Sequence, residues 1–225
     1  MTLLSNKGRD LVVPASIIFL ASIFSILMQG YTYGSQNNIF HIPIVLDYLA
    51  SDEGPHDVFV ESLERFPSFF WIVLKNILHE GNIEAGFLTL HLLTRICFGF
   101  IVFFCLQSLA RNRLMNAAIT GCIIGFPGFL ATSFLGRNEL LMSYLSHSQV
   151  AFMTIMASWL ALRYRRYFLC AAILGFSFNI NAFLSFWSAL AVGGSVLWIM
   201  RDQALMQIIK IGGLMTAIFT PAFPM

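Results

Sequence analysis

Residues 85–110 read AGFLTLHLLTRICFGFIVFFCLQSLA, an apolar run interrupted by one histidine, His91, and one arginine, Arg95. About 20 apolar residues suffice for a helix to cross a ~30 Å hydrocarbon core. Backbone groups in lipid must find their partners within the segment, so the run predicts a helix rather than a strand. Asn82 stands where a cap is needed, with Glu84 in the first turn where the helix dipole favours negative charge. A helix over 82–110 would be ~43 Å long at 1.5 Å per residue, so its excess must tilt or project.

Working outward, residues 11–30, 114–135 and 166–200 are further apolar runs of spanning length. Hydrophobic residues make up 58% of the 225 and charged residues only 11%, too few to clothe a soluble domain. The expectation is an all-α polytopic membrane protein, with residues 1–225 forming a single transmembrane domain. Residues 11–30 are longer than the apolar core of a signal peptide and lack a small-x-small site after them, so they read as an uncleaved first span. Cys97, Cys105, Cys122 and Cys170 all lie in apolar runs and read as small core residues, with neither disulfide nor metal spacing.

Charge gives orientation. Lys7 and Arg9 precede the first span, Arg111 and Arg113 follow the second, and Arg163, Arg165 and Arg166 follow another. The positive-inside rule places all three groups in the cytoplasm, and residues 31–82 and 136–149 outside. The N-terminus is then expected in the cytoplasm. A net charge of +2, with the positive residues at segment ends rather than in a stripe, points away from a nucleic-acid partner.

Residues 31–82 hold most of the acids and three of the five histidines. Pro43 suits the first turn of a short helix carrying Ile42, Val45, Leu46 and Leu49, ended by the turn residues 51–55. A second short helix is expected from about Pro67, carrying Phe70, Trp71, Leu74, Ile77 and Leu78 and stopping at Gly81. Both read as interfacial helices within one extracytoplasmic loop. Residues 166–200 would make a helix of ~52 Å, too long for one upright span. With Ser177, Asn179, Asn181 and Ser185 at its centre, two short helices meeting at 179–181 are expected, a steeply tilted single helix being the alternative. The last apolar run, 204–219, has no polar tail, which suggests the N-terminal part of a longer protein.

Asn37-Asn38 near the start of the loop, the later segment Leu63-Glu64-Arg65-Phe66-Pro67-Ser68-Phe69-Phe70-Trp71, and the two short helices together resemble the integral-membrane glycosyltransferases of the GT-C superfamily. That group includes protein O-mannosyltransferases and the enzymes that add aminoarabinose to lipid A. The string Tyr33-Gly34-Ser35-Gln36-Asn37-Asn38 with His41-Ile42-Pro43 is also similar to uncharacterised bacterial membrane proteins related to that superfamily. The resemblance implies a GT-C-like helix bundle and sugar transfer from a polyprenyl-phosphate donor at the extracytoplasmic face. In those families an acidic pair stands where this chain has Asn37-Asn38, so another carboxylate must serve as base.

Such a transfer needs a base for the acceptor hydroxyl and cationic or donor groups near the departing phosphate. Asp57, after the Gly54-Pro55 turn, is the first candidate base, followed by Asp52 and Asp47; a solvated loop surface is the plainer reading of each. Arg95 and His91 are the candidate phosphate ligands, since an intramembrane arginine must face protein or a cavity, or else snorkel. His41 and Arg137 are further substrate-binding candidates. The histidines match no metal signature, although carboxylates alone could hold Mg²⁺ or Mn²⁺. The expected partners are a lipid-linked sugar and membrane lipid, with no indication of oligomeric state. The alternative is a non-catalytic membrane protein on the same scaffold, either a lipid or glycan transporter or a structural subunit.

Overall fold

The computed structural model describes residues 3–48, 68–126 and 141–201, and among these the chain is all-helical. The eight helices among the described residues are α1 (Leu3–Gln29), α2 (Asn38–Val45), α3 (Phe69–Ile77), α4 (Ile83–Gln107), α5 (Arg113–Gly125), α6 (His147–Arg163), α7 (Tyr167–Ile180) and α8 (Ala182–Ile199). Three are long and apolar enough to cross a membrane: the stretch Leu11–Gln29 of α1, then α4, then α8. The turn at 51–55 and the run at 204–219 lie outside the described residues.

Beside an apolar core, many polar side chains are buried and many large apolar ones are exposed, unlike the pattern of a protein folded in water. Ser22, Ser25, Arg95, Asn116, Thr120, Ser158, Ser177 and Ser185 are buried, while Leu27, Met28, Leu93, Phe183, Trp187 and Trp198 are exposed. Apolar side chains have nothing to gain by leaving hydrocarbon, whereas polar groups must pair inside. Many of the hydroxyls do so locally: Ser22 Oγ donates to Ile18 O at 2.8 Å and Thr120 Oγ1 to Asn116 O at 2.7 Å.

The chain forms two compact units, the first comprising Met1–Ser35 with Glu84–Gln149 and the second Gln36–Ile83 with Val150–Met225. In the first unit, Gly99 of α4 is buried where a Cβ would lie 2.6 Å from Ile18 Cγ2 and 2.5 Å from Ile124 Cδ1. Gly121 of α5 similarly admits Ile17, and Phe24 meets Phe126 edge-on at 5.8 Å. Ile17 and Phe24 therefore climb α5 in chain order, whereas Ile18 and Ser25 meet Gly99 and Arg95 in reverse order along α4. It follows that α1 and α5 run parallel and α4 antiparallel to both. Asn112 caps α5 by accepting from Met115 N at 3.0 Å.

In the second unit, α6, α7 and α8 share a core of Ile155, Leu162, Cys170, Leu174, Val192 and Val196. Residues 166–200 form the expected pair of helices. Asn181 is the break: it ends α7 in an extended conformation (φ −147°, ψ 97°) and caps α8 by accepting from Leu184 N at 3.1 Å. Ser185 Oγ meets Ser177 Oγ at 2.9 Å and Ser177 Oγ donates to Ala151 O at 3.2 Å, so the polar centre is paired within protein. Asn179 Nδ2 donates to Gly175 O at 3.1 Å. Arg163, Arg165, Trp198 and Ile199 line one cleft, which brings the arginine turn and the approach to Arg201 to the same end of this unit.

Two local expectations are corrected. Pro43 is not in the first turn of α2, which begins at Asn38; its missing N–H falls in the second half, two residues before the helix ends at Val45. The buried face of α2 is Asn38, His41 and Val45. Asn82 Oδ1 accepts from His79 N at 2.8 Å, closing the turn before α4 rather than bonding into its first turn.

The close approach at Gly99 predicts that Gly99→Val destabilises the protein by about 1–3 kcal/mol through overpacking. Gly193→Ala adds a methyl group in open space and should leave stability unchanged or slightly raised. Thermal unfolding of both variants in detergent checks the contrast; an undiminished Gly99→Val would break the packing argument.

Candidate functional site

Arg95 sits at the middle of the 25-residue α4 and is 1% exposed. Its guanidinium donates to acceptors from several stretches of the first unit. Nε donates to His91 Nε2 at 3.2 Å, Nη1 to Ser25 Oγ, and Nη2 to Gln29 Oε1 at 2.5 Å and to Met142 O at 2.7 Å. Gln29 Nε2 in turn donates to Leu141 O at 2.6 Å, and Thr32 N donates to Ser143 O at 2.9 Å. One arginine thus ties the end of α1 and the 141–143 strip to α4. Since α1 ends near the level of Arg95, the first half of α4, roughly 18 Å, runs on past that end. Tyr31 and Tyr33, just past α1, pack there against His91 and Phe87, with ring centres 5.5 and 5.9 Å apart.

The pairing with Arg95 decides the state of His91. An arginine only donates, so Nε2 must be the accepting nitrogen and the ring proton belongs on Nδ1. His91 is wholly buried, and its Nδ1 has no hydrogen-bond partner among the described residues. Beside it stands Tyr31, with ring centres 5.5 Å apart, whose buried hydroxyl also lacks a partner among those residues. Burial, followed by the neighbouring Tyr33 and Glu84, pushes the Tyr31 phenol well above its usual range, so it stays protonated and able to donate. Two neutral donors are thus neighbours, and one of them is bonded to a buried cation, an arrangement suited to oxygen-rich anionic or hydroxylated groups.

The other candidates fall elsewhere. Asp47, two residues past the end of α2, is left-handed (φ 62°), and its exposed carboxylate pairs with Lys75 of α3 at 2.6 Å. Tyr48 donates to Glu80, a second tie across the same segment. His41 is 7% exposed and stacks on the buried Trp71 with ring centres 4.1 Å apart, which fixes α2 against α3. Asn37 is exposed ahead of α2, whereas Asn38 is fully buried with its amide unpartnered among the described residues. Arg95 and His91 thus come together in the first unit, and Asp47 and His41 belong to the second. Asp52, Asp57 and Arg137 lie outside the described residues, among which no three metal-ligating side chains gather.

Ser25, Gln29, Tyr31 and Met142 were not singled out from the sequence. The signal for the first two was present: Ser22, Ser25 and Gln29 recur at the spacing of one helix face in an otherwise apolar segment. Arg95→Leu is predicted to destabilise the protein by about 3 kcal/mol or more, because buried acceptors lose a charged donor together. Arg95→Lys should recover only part of this, since an ammonium cannot reach the same forked set of acceptors. Denaturation midpoints of the two variants in detergent test the ordering.

No protein family, curated protein or solved structure matches this chain.

Proposed function

We propose that the chain is a membrane glycosyltransferase of GT-C type, acting at the extracytoplasmic face on a polyprenyl-phosphate sugar. The observation that supports this reading best is the buried His91, with its proton directed to an unpartnered Nδ1 by Arg95 and with the Tyr31 hydroxyl beside it. Transfer breaks the bond between the anomeric carbon and the phosphate oxygen while the acceptor oxygen bonds to that carbon. Charge builds on the departing phosphate, where preorganised donors in a dry site are most effective. His91 and Tyr31 supply such donors, and Arg95 positions His91 while adding positive potential. The acceptor's proton goes to a carboxylate, with Asp57 or Asp52 in that role; Asp47 is engaged with Lys75.

The same proposal places α2 and α3 at the membrane interface and the N-terminus in the cytoplasm. The parallel run of α1 and α5 against α4 is consistent with it, because it gathers the ends bearing Lys7, Arg9, Arg111 and Arg113.

One observation favours the non-catalytic alternative, a lipid or glycan transporter or a structural subunit. The Arg95 donors are already engaged with Ser25, Gln29, His91 and Met142, as a purely structural clamp would have them.

The two readings part on a paired measurement of polyprenyl-phosphate-sugar binding and of glycan product in membranes containing the full protein. His91→Ala should weaken donor binding about tenfold, the effect of one hydrogen bond to a charged group. Asp57→Asn should retain binding and lose product. Binding without product in the unaltered protein selects the transporter reading, and equal affinity after His91→Ala removes His91 from the site.

A further inference from the structure

A cleft of about 790 Å³ opens between α6 and the C-terminal half of α8, within the second unit and among residues the proposed site does not use. Its walls are Trp159 and Leu162 on one side and Ala191, Gly194, Trp198 and Ile199 on the other. The one hydroxyl on the α8 wall, Ser195 Oγ, donates to Ala191 O at 2.8 Å, so it presents no unsatisfied donor to the cleft. A Cβ at Gly194 would meet nothing within 4 Å, so the groove floor is open rather than filled by a neighbour. The surrounding surface is apolar, with Leu197, Trp198 and Ile199 exposed. Whatever enters must be compatible with hydrocarbon.

The mouth of the cleft has the opposite character. Arg163 and Arg165 line it, Arg166 follows, and the Arg201 guanidinium lies 4.3 Å over the Trp198 ring. Between positions 141 and 202 the chain holds four arginines and one acid, Asp202, which lies outside the described residues, so the stretch is net positive. The turn holding Arg165 is also unusual. Arg166 N donates to Ala161 O at 2.9 Å and Arg165 N to Leu162 O at 2.8 Å, the two bonds of a Schellman cap. Such a cap puts its central residue in the left-handed region, and here that residue is Arg165 at φ 56° instead of glycine. An arginine kept in a conformation that glycine adopts without strain points to a use for its side chain.

We propose that this cleft binds one anionic phospholipid drawn from the bilayer, with its phosphate at Arg163 and Arg165 and one acyl chain between Trp159 and Trp198. Each arginine near an anionic headgroup contributes about 1 kcal/mol, roughly a fivefold effect on affinity. The apolar walls take the chain, and the charge at the mouth selects the headgroup. This assignment does not rest on the glycosyltransferase reading.

Native mass spectrometry of the full chain, purified in detergent and offered dioleoyl phosphatidylglycerol or dioleoyl phosphatidylcholine, tests it. The unaltered protein should retain one phosphatidylglycerol in preference to phosphatidylcholine. Arg165→Gly should lower that retention about fivefold while thermal stability in lipid-free detergent is unchanged or raised, because the cap is relieved of strain. A merely structural Arg165 would not separate the two readouts. Gly194→Trp, which fills the groove, should abolish retention of both lipids. Equal retention of the two lipids by the unaltered protein overturns the proposal, as does phosphatidylglycerol retention unchanged in Arg165→Gly. A lipid-free dimer, the sign of a second copy seated in the cleft, overturns it as well.

Discussion

A guanidinium sealed in the middle of an apolar helix is the constraint on which the first unit depends. Burying an ion is unfavourable by several kcal/mol unless its donors are met, and Arg95 meets them with groups from three separate stretches of chain. That requirement explains residues that otherwise look out of place. Ser25 and Gln29 interrupt a span that would insert more readily with leucine. The Met142 carbonyl is available because its segment precedes α6 rather than forming part of a helix. Gly99, one turn along the same face of α4, lets Ile18 and Ile124 come close enough for α1 to reach the guanidinium. Polar demand and steric permission occur on one helix face, and neither alone would set the packing.

The second unit solves a different version of the same problem. A helical run too long for one span breaks where the chain can satisfy the freed backbone groups itself. Asn181 does this with its side chain, and the serine pair Ser177 and Ser185 closes the gap across the hairpin. Ser68 Oγ adds a tie from the start of α3 to Ile180 O at 3.0 Å, so the short α2–α3 pair is attached at the break. Stacking of His41 on Trp71 then uses aromatic area to hold two helices that are each too short to be stable alone.

The sequence made the coarse architecture legible because lipid imposes one strong rule: long apolar runs must be helices. The three helices long enough to span, the break near 179–181 and the burial of Arg95 follow from length and from the penalty on polar groups at depth. The run 114–135, expected to span, instead yields the 13-residue α5, which ends at Gly125. Finer features escaped because they depend on which of several equivalent partners is nearest. Asn82 has a cap's chemistry, but the His79 amide claims its oxygen first. Pro43 looks like a first-turn residue until Asn37 and Asn38 begin the helix five residues earlier. The tautomer of His91 could not be read at all, since it is set by an arginine one turn away whose rotamer depends on α1. Tyr31 is one aromatic residue among many in the sequence and gains meaning only from its ring contact with His91.

The origin of the Arg95 partners also bears on how the protein is made. Ser25 and Gln29 are synthesised before Arg95, and Met142 well after it. When α4 leaves the insertion machinery, its charge must already find α1 in the bilayer, because the third contributor does not yet exist. An arginine at the centre of a lone span opposes insertion by about 2.5–3.5 kcal/mol, and α1 is the element that can offset this in time. The first helix thus supplies two of the acceptors that receive the Arg95 guanidinium before the strip at 141–143 has been made.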